Sequence, residues 1–198
     1  MTAHDELLNL LAENSFRLGD FTLSSGIKSN YYLDCRITTL HAFGAALTGR
    51  VFLDLFRRQG WKAQAIGGLT LGADPIVVAA VVISAQAGEP LHGFLVRKSE
   101  KAHGMGRRIE GFHERGAPVV IVDDVCTTGS STIQAIEAAR ECGFNVIGVA
   151  CLVEREEAGG RPAVEKAAAP ATFVSIFTAS EVKAAHLRLE QRNQQSAG

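Results

Sequence analysis

The sequence predicts an α/β fold, a mostly parallel central sheet flanked by helices, with a small N-terminal hood. Strand-like and helix-like patterns alternate along most of the chain, the order that gives a parallel sheet covered on both faces. Runs such as Val119–Val122 and Val146–Val153 are almost continuously apolar and β-branched, as strands buried on both faces are. At 198 residues, 46% apolar and 21% charged, the chain 1–198 reads as one domain, able to bury roughly 70% of its unfolded surface without disulfides.

His4–Leu18 carries apolar residues at helical spacing. Phe21–Asp34 holds Ser-Ser-Gly-x-Lys-Ser between apolar pairs, a hairpin or hood loop. Thr39–Gln59 reads as a long amphipathic helix stopped by Gly60. Ala63–Gly67 is a short buried strand, Ala73–Ala87 a buried helix, and Leu91–Val96 a further strand. Val119–Asp123 and Ser130–Cys142 form the central strand and helix, followed by strand Val146–Val153. Arg161–Ala169 is helical, Ala171–Ile176 extended, and Ala179–Arg192 a last helix. The polar tail Gln191–Gly198 is expected to fray. In such a sheet the active site lies at the strand C-terminal ends.

The stretch Val119–Thr132, VVIVDDVCTTGSST, is the most telling. A buried strand runs into two carboxylates, Asp123 and Asp124, then into a hydroxyl- and glycine-containing turn that opens a helix. The carboxylates suit ribose hydroxyls or a hydrated divalent cation. The backbone N–H groups of Thr127–Thr132 suit a phosphate at the positive end of the helix dipole. Capping a helix needs one hydroxyl, and this turn has five. It is not a Walker A loop, because no Gly-Lys-Ser/Thr follows the strand. Gly104-Met105-Gly106 begins like a dinucleotide fingerprint, but Ile109 stands where the third glycine belongs.

Three other segments carry chemistry. After the strand HGFLV come Arg97, Lys98, Lys101 and His103, with glycines at 104, 106 and 111 and more charge at Arg107 and Arg108. This is either a solvated face or a mobile lid able to neutralise a polyanion. Gly67–Pro75 runs Gly-Gly-Leu-Thr-Leu-Gly-Ala-Asp-Pro, a second anion nest or a site of close strand–helix packing. Arg155 follows the Val146–Val153 strand among glutamates, either a surface ion pair or a bidentate carboxylate binder.

Taken in order, these segments resemble the type I phosphoribosyltransferases, and orotate phosphoribosyltransferases in particular. Asp123–Ser131 resembles the family's motif for 5-phosphoribosyl 1-pyrophosphate (PRPP), and Arg97-Lys98-x-x-Lys101-x-His103-Gly104 its catalytic loop. Phe21–Asp34 is similar to the orotate-site hood, with Ser24 where some members have a lysine. Gly67–Pro75 resembles the pyrophosphate loop in its lysine-free form, and Glu154-Arg155 the family's Asp-Arg. The resemblance implies a domain whose hood comes from about residues 1–40 and the C-terminal segment.

The implied reaction is orotate plus PRPP giving orotidine 5′-monophosphate and pyrophosphate, in de novo pyrimidine (UMP) biosynthesis. The implied catalytic residues are Lys101, His103, Asp123 and Asp124. PRPP would be bound by Arg97, Lys98, Lys101, His103, Asp123, Asp124, Val125, Cys126, Thr127, Thr128, Gly129, Ser130 and Ser131. Orotate would be bound by Lys28, Tyr31, Tyr32, Thr127 and Arg155. Mg²⁺ is the implied cofactor, held mainly by PRPP near Asp123 and Asp124 rather than by a protein ligand set. A homodimer is implied too, with the 97–112 loop reaching the neighbouring active site. Two alternatives stand: a phosphoribosyltransferase for another base, and a PRPP-sensing regulator on the same fold.

Composition limits the rest. A net charge of −1 argues against a nucleic-acid partner. No apolar stretch reaches membrane-spanning length, Pro75–Ala87 being the longest candidate, and Met1–Asn9 lacks signal-peptide form. Cys35, Cys126, Cys142 and Cys151 have neither metal-site nor disulfide spacing, so a cytoplasmic location is expected.

Overall fold

The computed structural model describes residues 1–22, 28–98 and 108–196. Helix α1 (Ala3–Leu10) starts at Thr2, whose hydroxyl accepts the Asp5 N–H while the Asp5 carboxylate accepts the Thr2 N–H, a capping box. A π-turn over Leu11–Ser15 then delivers the chain into strand β1 (Phe16–Thr22), which pairs antiparallel with β2 (Lys28–Leu33). The helix expected through Leu18 therefore ends early. Phe16 is buried and stacked on Tyr31 with ring centroids 5.1 Å apart, and cross-strand packing of this kind outweighs local helix propensity.

A four-residue helix α2 (Arg36–Thr39) precedes α3 (Ala42–Gln59). The single long helix expected from Thr39 is thus two, because Thr38 and Thr39 are buried within α2 and His41 breaks the path, its ring accepting the Gly44 N–H. Gly60 closes α3 in the left-handed region, at φ 67°, where glycine is unstrained.

Among the described residues the main sheet has six strands: β3 (Ala65–Leu69), β4 (His92–Val96), β5 (Ile109–Gly111), β6 (Pro118–Cys126), β7 (Asn145–Glu154) and β8 (Thr172–Thr178). Their spatial order is β5-β4-β3-β6-β7-β8, and all neighbours are parallel except β5 against β4. Helices α4 (Ala73–Gln86), α5 (Ser130–Glu141), α6 (Arg161–Ala168) and α7 (Ala179–Ser196) complete the chain. Alternation along β6 divides the core. Val120 and Val122 face a cluster with α3, α4 and the hood, whereas Val119 and Ile121 face a second cluster under α5 and α6. That is the two-sided burial the continuous apolar runs require.

Two further expectations are corrected. The last helix runs beyond its expected end at Arg192, as far as Ser196. Helix α4, expected to be buried, buries Ile76, Val77 and Ala80 but leaves Val78 59% and Val82 49% exposed. An apolar sequence all round the helix hides which face lacks a neighbour.

Candidate active site

The C-terminal ends of β3 and β6 meet in a polar pocket of about 180 Å³. Strand β6 runs past the carboxylates as far as Cys126, three residues beyond the expected end at Asp123. Asp123 and Asp124 are held by their own strand: Asp124 N–H donates to Asp123 Oδ1 at 3.1 Å and Val125 N–H to Asp124 Oδ1 at 2.9 Å. The Thr132 hydroxyl donates to Asp123 Oδ2 at 2.8 Å. Asp123 is 4% exposed. Burial first, and the neighbouring Asp124 second, push its carboxyl up to about 7. Asp124 is also raised by burial, an effect opposed by the Val125 N–H and the positive charge of Arg36.

The turn that follows is equally defined. Gly129 starts α5 at φ 79° with no side-chain cap, so the first-turn N–H groups of Ser130–Thr132 point outward without intrahelical partners. Thr128 and Ser130 are exposed and Thr127 half-buried. The turn is clamped from behind. A Cβ on Gly129 would lie 2.3 Å from Val164 Cγ2, and one on Gly160 2.1 Å from the Thr127 carbonyl oxygen. Cys126 turns into the core, and its carbonyl accepts the Arg155 N–H at 2.9 Å.

The two readings of Gly67–Pro75 divide by residue. Gly67 and Gly68 serve packing, since a Cβ would lie 2.4 Å from the Phe94 ring at the first and 2.0 Å from the Val122 carbonyl at the second. Leu69, Thr70, Leu71 and Gly72 line the pocket, the Thr70–Leu71 peptide being cis. A Cβ on Gly72 would be 2.3 Å from Asp124 Oδ1 and 3.3 Å from Asp123 Oδ1, so this loop is brought directly against the acidic pair.

Arg155 lies at the end of β7 and is 7% exposed, unlike a surface ion pair. Its Nε donates to the Tyr31 hydroxyl at 2.9 Å and to Glu157 Oε1 at 3.1 Å, and Nη2 donates to Ser29 Oγ at 3.0 Å. The Tyr31 hydroxyl in turn donates to Glu157. Burial, and then the bond to Glu157, raise the Tyr31 phenol far above its ordinary value. Burial would raise Glu154, but hydrogen bonds from Arg161 and Ser175 and the Arg161 charge hold its carboxyl below the usual range. Glu154 thus pairs with Arg161 and leaves Arg155 to the hood.

The structure therefore brings Asp123, Asp124, Ser131 and Lys98 to one pocket and Tyr31 to Arg155. Tyr32 is on the opposite face of β2, 41% exposed and 5.5 Å from the Phe21 ring, as strand alternation requires. Lys28 is exposed at the start of β2. Arg97 reaches Glu110 Oε1 at 3.4 Å across β4 and β5. Lys101, His103 and Ser24 lie outside the described residues. The reading from sequence missed Arg36, which lines the pocket beside Asp124; its only signal was an Asp-x-Arg step after the hood strand.

An oxygen-only donor set built on two carboxylates fits Mg²⁺, which keeps its phosphates and waters and takes few protein ligands. Among the described residues no group of three or more His, Cys, Asp or Glu is placed to hold a metal by itself.

A mostly parallel sheet carrying an acidic pair, an uncapped helix N-terminus and a close glycine loop at its C-terminal end sets carboxylates and anion-binding N–H groups side by side. The profile of the family described as "Phosphoribosyl transferase domain" matches residues 72–176. The chain is 42% identical to orotate phosphoribosyltransferase of Aquifex aeolicus, over 92% of this chain and 98% of that one. The crystal structure of Mycobacterium tuberculosis orotate phosphoribosyltransferase with Fe(III) dicitrate superimposes with a TM-score of 0.79 at 39% identity, covering 91% and 99% of the two chains. The same organism's enzyme in complex with PRPP gives 0.74 at 35% identity, with the same coverage. The chain belongs to the phosphoribosyltransferase family, within its orotate phosphoribosyltransferase branch.

Proposed function

We propose that this chain transfers the 5-phosphoribosyl group from PRPP to orotate, giving orotidine 5′-monophosphate and pyrophosphate in pyrimidine (UMP) biosynthesis. The observation that carries this reading is the pocket in which Asp123 and Asp124 meet the Leu69–Gly72 loop and Ser131. The M. tuberculosis relative in complex with PRPP supports it.

The C1–oxygen bond of PRPP breaks with its electron pair leaving on pyrophosphate, and the orotate ring nitrogen forms the new bond to C1 as its N–H proton passes to a pyrophosphate oxygen. The ribose passes through an oxocarbenium-like state, as in glycoside cleavage. No enzymic nucleophile is needed, so the residues position and neutralise. Asp123 and Asp124 accept the ribose hydroxyls. The N–H groups and hydroxyls of Thr127–Ser131 hold the 5′-phosphate. Arg155 grips the orotate carboxylate with a planar fork that an ammonium lacks, and Lys28, Tyr31 and Tyr32 frame the ring from the hood. Arg97, Lys98, Lys101 and His103 close on the departing pyrophosphate. Asp123 and Asp124 would lie beside a Mg²⁺ ion bound with PRPP, which would lower the charge of the leaving group.

The working unit in this reading is a homodimer in which the 97–112 loop completes the partner's site. Support comes from the face of α3 and α4, where Leu40, Val78 and Val82 border an apolar groove of about 610 Å³. The enzyme works in the cytoplasm in this reading, which the four free cysteines support. Mass-spectrometric detection of orotidine 5′-monophosphate and pyrophosphate in equal amounts tests the reaction, and failure of either product to form from orotate and PRPP overturns it.

A further inference from the structure

Arg36 is the described cation of the pocket that belongs to neither the PRPP motif nor the lid. It stands at the first position of α2 and lines the same pocket as Asp123, Asp124 and Gly72. Its guanidinium is held in a fork. Nε donates to Asp34 Oδ1 at 2.9 Å and Nη2 to Asp34 Oδ2 at 2.9 Å, while the Arg36 backbone N–H donates to Asp34 Oδ1 at 3.1 Å. Exposed ion pairs contribute little when both partners roam. Here the Asp34 side chain is only 17% exposed, and the short helix is pinned by buried Cys35, Thr38 and Thr39. The Thr38 hydroxyl also lies 2.7 Å from that of Ser15.

A fixed bidentate pair spends two edges of the guanidinium and leaves Nη1 without a hydrogen-bond partner among the described residues. The pocket otherwise presents two carboxylates, Lys98, the hydroxyl residues Thr70 and Ser131, and main-chain groups. A ligand with several negative charges at this place is favoured by a cation already fixed in the pocket. Lys98 follows β4, whereas Arg36 stands on the hood side and is held by Asp34.

We propose that Arg36 binds the pyrophosphate group of PRPP as a resident cation, with Asp34 as its positioning residue. This deepens the reading of the pocket as the PRPP site and rests on it. Arg36 brings a planar donor set to non-bridging phosphate oxygens, and Asp34 removes the rotamer freedom that binding would otherwise cost.

The test is calorimetric titration of inorganic pyrophosphate, PRPP and ribose 5-phosphate, each with Mg²⁺, into the full chain and into Arg36→Ala, Arg36→Lys and Asp34→Asn. Losing one charge-assisted contact in Arg36→Ala should weaken pyrophosphate and PRPP by about tenfold or more, leaving ribose 5-phosphate unchanged. Arg36→Lys should recover part of the loss, and Asp34→Asn should show a smaller loss of the same kind. Equal weakening of PRPP and ribose 5-phosphate would mean that Arg36 only supports Asp124, and unchanged pyrophosphate affinity in Arg36→Ala would remove it from the site; either result overturns the proposal. If Arg36→Ala does not fold, Asp34→Asn decides by the same comparison. Absence of pyrophosphate and PRPP binding by the unaltered chain would overturn the reading of the pocket as well, and so separates the two failures.

Discussion

The Thr132 hydroxyl donates to Asp123 Oδ2 at 2.8 Å, tying the first turn of α5 to the end of β6. That bond fixes the acidic pair against the start of α5 and gives the buried Asp123 carboxylate a side-chain donor. Burial and Asp124 nevertheless raise Asp123 to about 7, from an ordinary 3.8. The folded chain therefore holds this proton more tightly than the unfolded chain does. The stability it contributes is complete below 3.8 and is lost as pH rises through about 7. Asp123→Asn keeps an acceptor for Thr132 and carries no charge, so the unliganded variant should melt higher than the parent at pH 8 and near it at pH 4, while losing PRPP binding. Melting curves of both proteins from pH 4 to 9 check this, and parallel curves would contradict it.

Arg155→Leu should raise the orotate KM by about thirtyfold or more, in line with truncating one partner of a buried charged contact, with a much smaller change in the PRPP KM. Arg155→Lys should not restore it, because the fork is lost. Initial-rate measurements varying each substrate decide the point, and equal rises for both would refute a role at the base.

Gly72→Ala places a methyl 2.3 Å from Asp124 Oδ1, a separation real Cβ atoms do not adopt. The backbone at Gly72 is ordinary right-handed helix, at φ −60°, so the effect should fall on the site rather than on folding. We expect kcat/KM for PRPP to drop by about tenfold or more with the melting temperature little changed, since small displacements of positioned groups are costly. Unchanged kcat/KM would show that Asp124 can move without penalty.

The chain order of the site was legible because its main parts are contiguous. Asp123 to Ser131 lies on one strand–turn–helix unit, and a strand, an acid and an uncapped helix start are all local features. Arg155 was legible as a type of residue but not as a buried one, since its partners Ser29 and Tyr31 are supplied by the hood far away in sequence. Arg36 was hidden for the same reason: Asp-Cys-Arg reads as a surface step until folding sets it beside Asp124. Strand β5 escaped notice because three residues, Ile109–Gly111, carry no periodicity, and pairing with Phe94–Val96 creates the strand. The early end of the first helix likewise depended on the contact between Phe16 and Tyr31.

Two variants test whether the active site is shared between subunits. Lys101→Ala alone should lower turnover by about 10²-fold, as losing one electrostatic donor does, and Asp124→Asn should be similarly weak. If the 97–112 loop serves the partner, a mixed dimer holds one intact site of its two, and random exchange of the two weak proteins should restore about a quarter of the parental activity. Recovery no greater than the sum of the separate proteins would place the loop in its own subunit.

Val78→Asp puts a charge on the exposed apolar face of α4, where the parent side chain is 59% exposed. Sedimentation should then show the dimer giving way to monomer at micromolar concentration, because a desolvated unpaired charge opposes association. An unchanged dimer would move the interface away from the Leu40, Val78 and Val82 groove.

The central claim is that this site joins orotate, and no other base, to the ribose of PRPP. The direct measurement is the fall in orotate absorbance on adding PRPP and Mg²⁺, with adenine, hypoxanthine and uracil as parallel substrates. Consumption of orotate alone is the predicted result. Turnover of another base in its place would contradict the role given to Arg155, and PRPP binding without turnover of any base would contradict catalysis altogether.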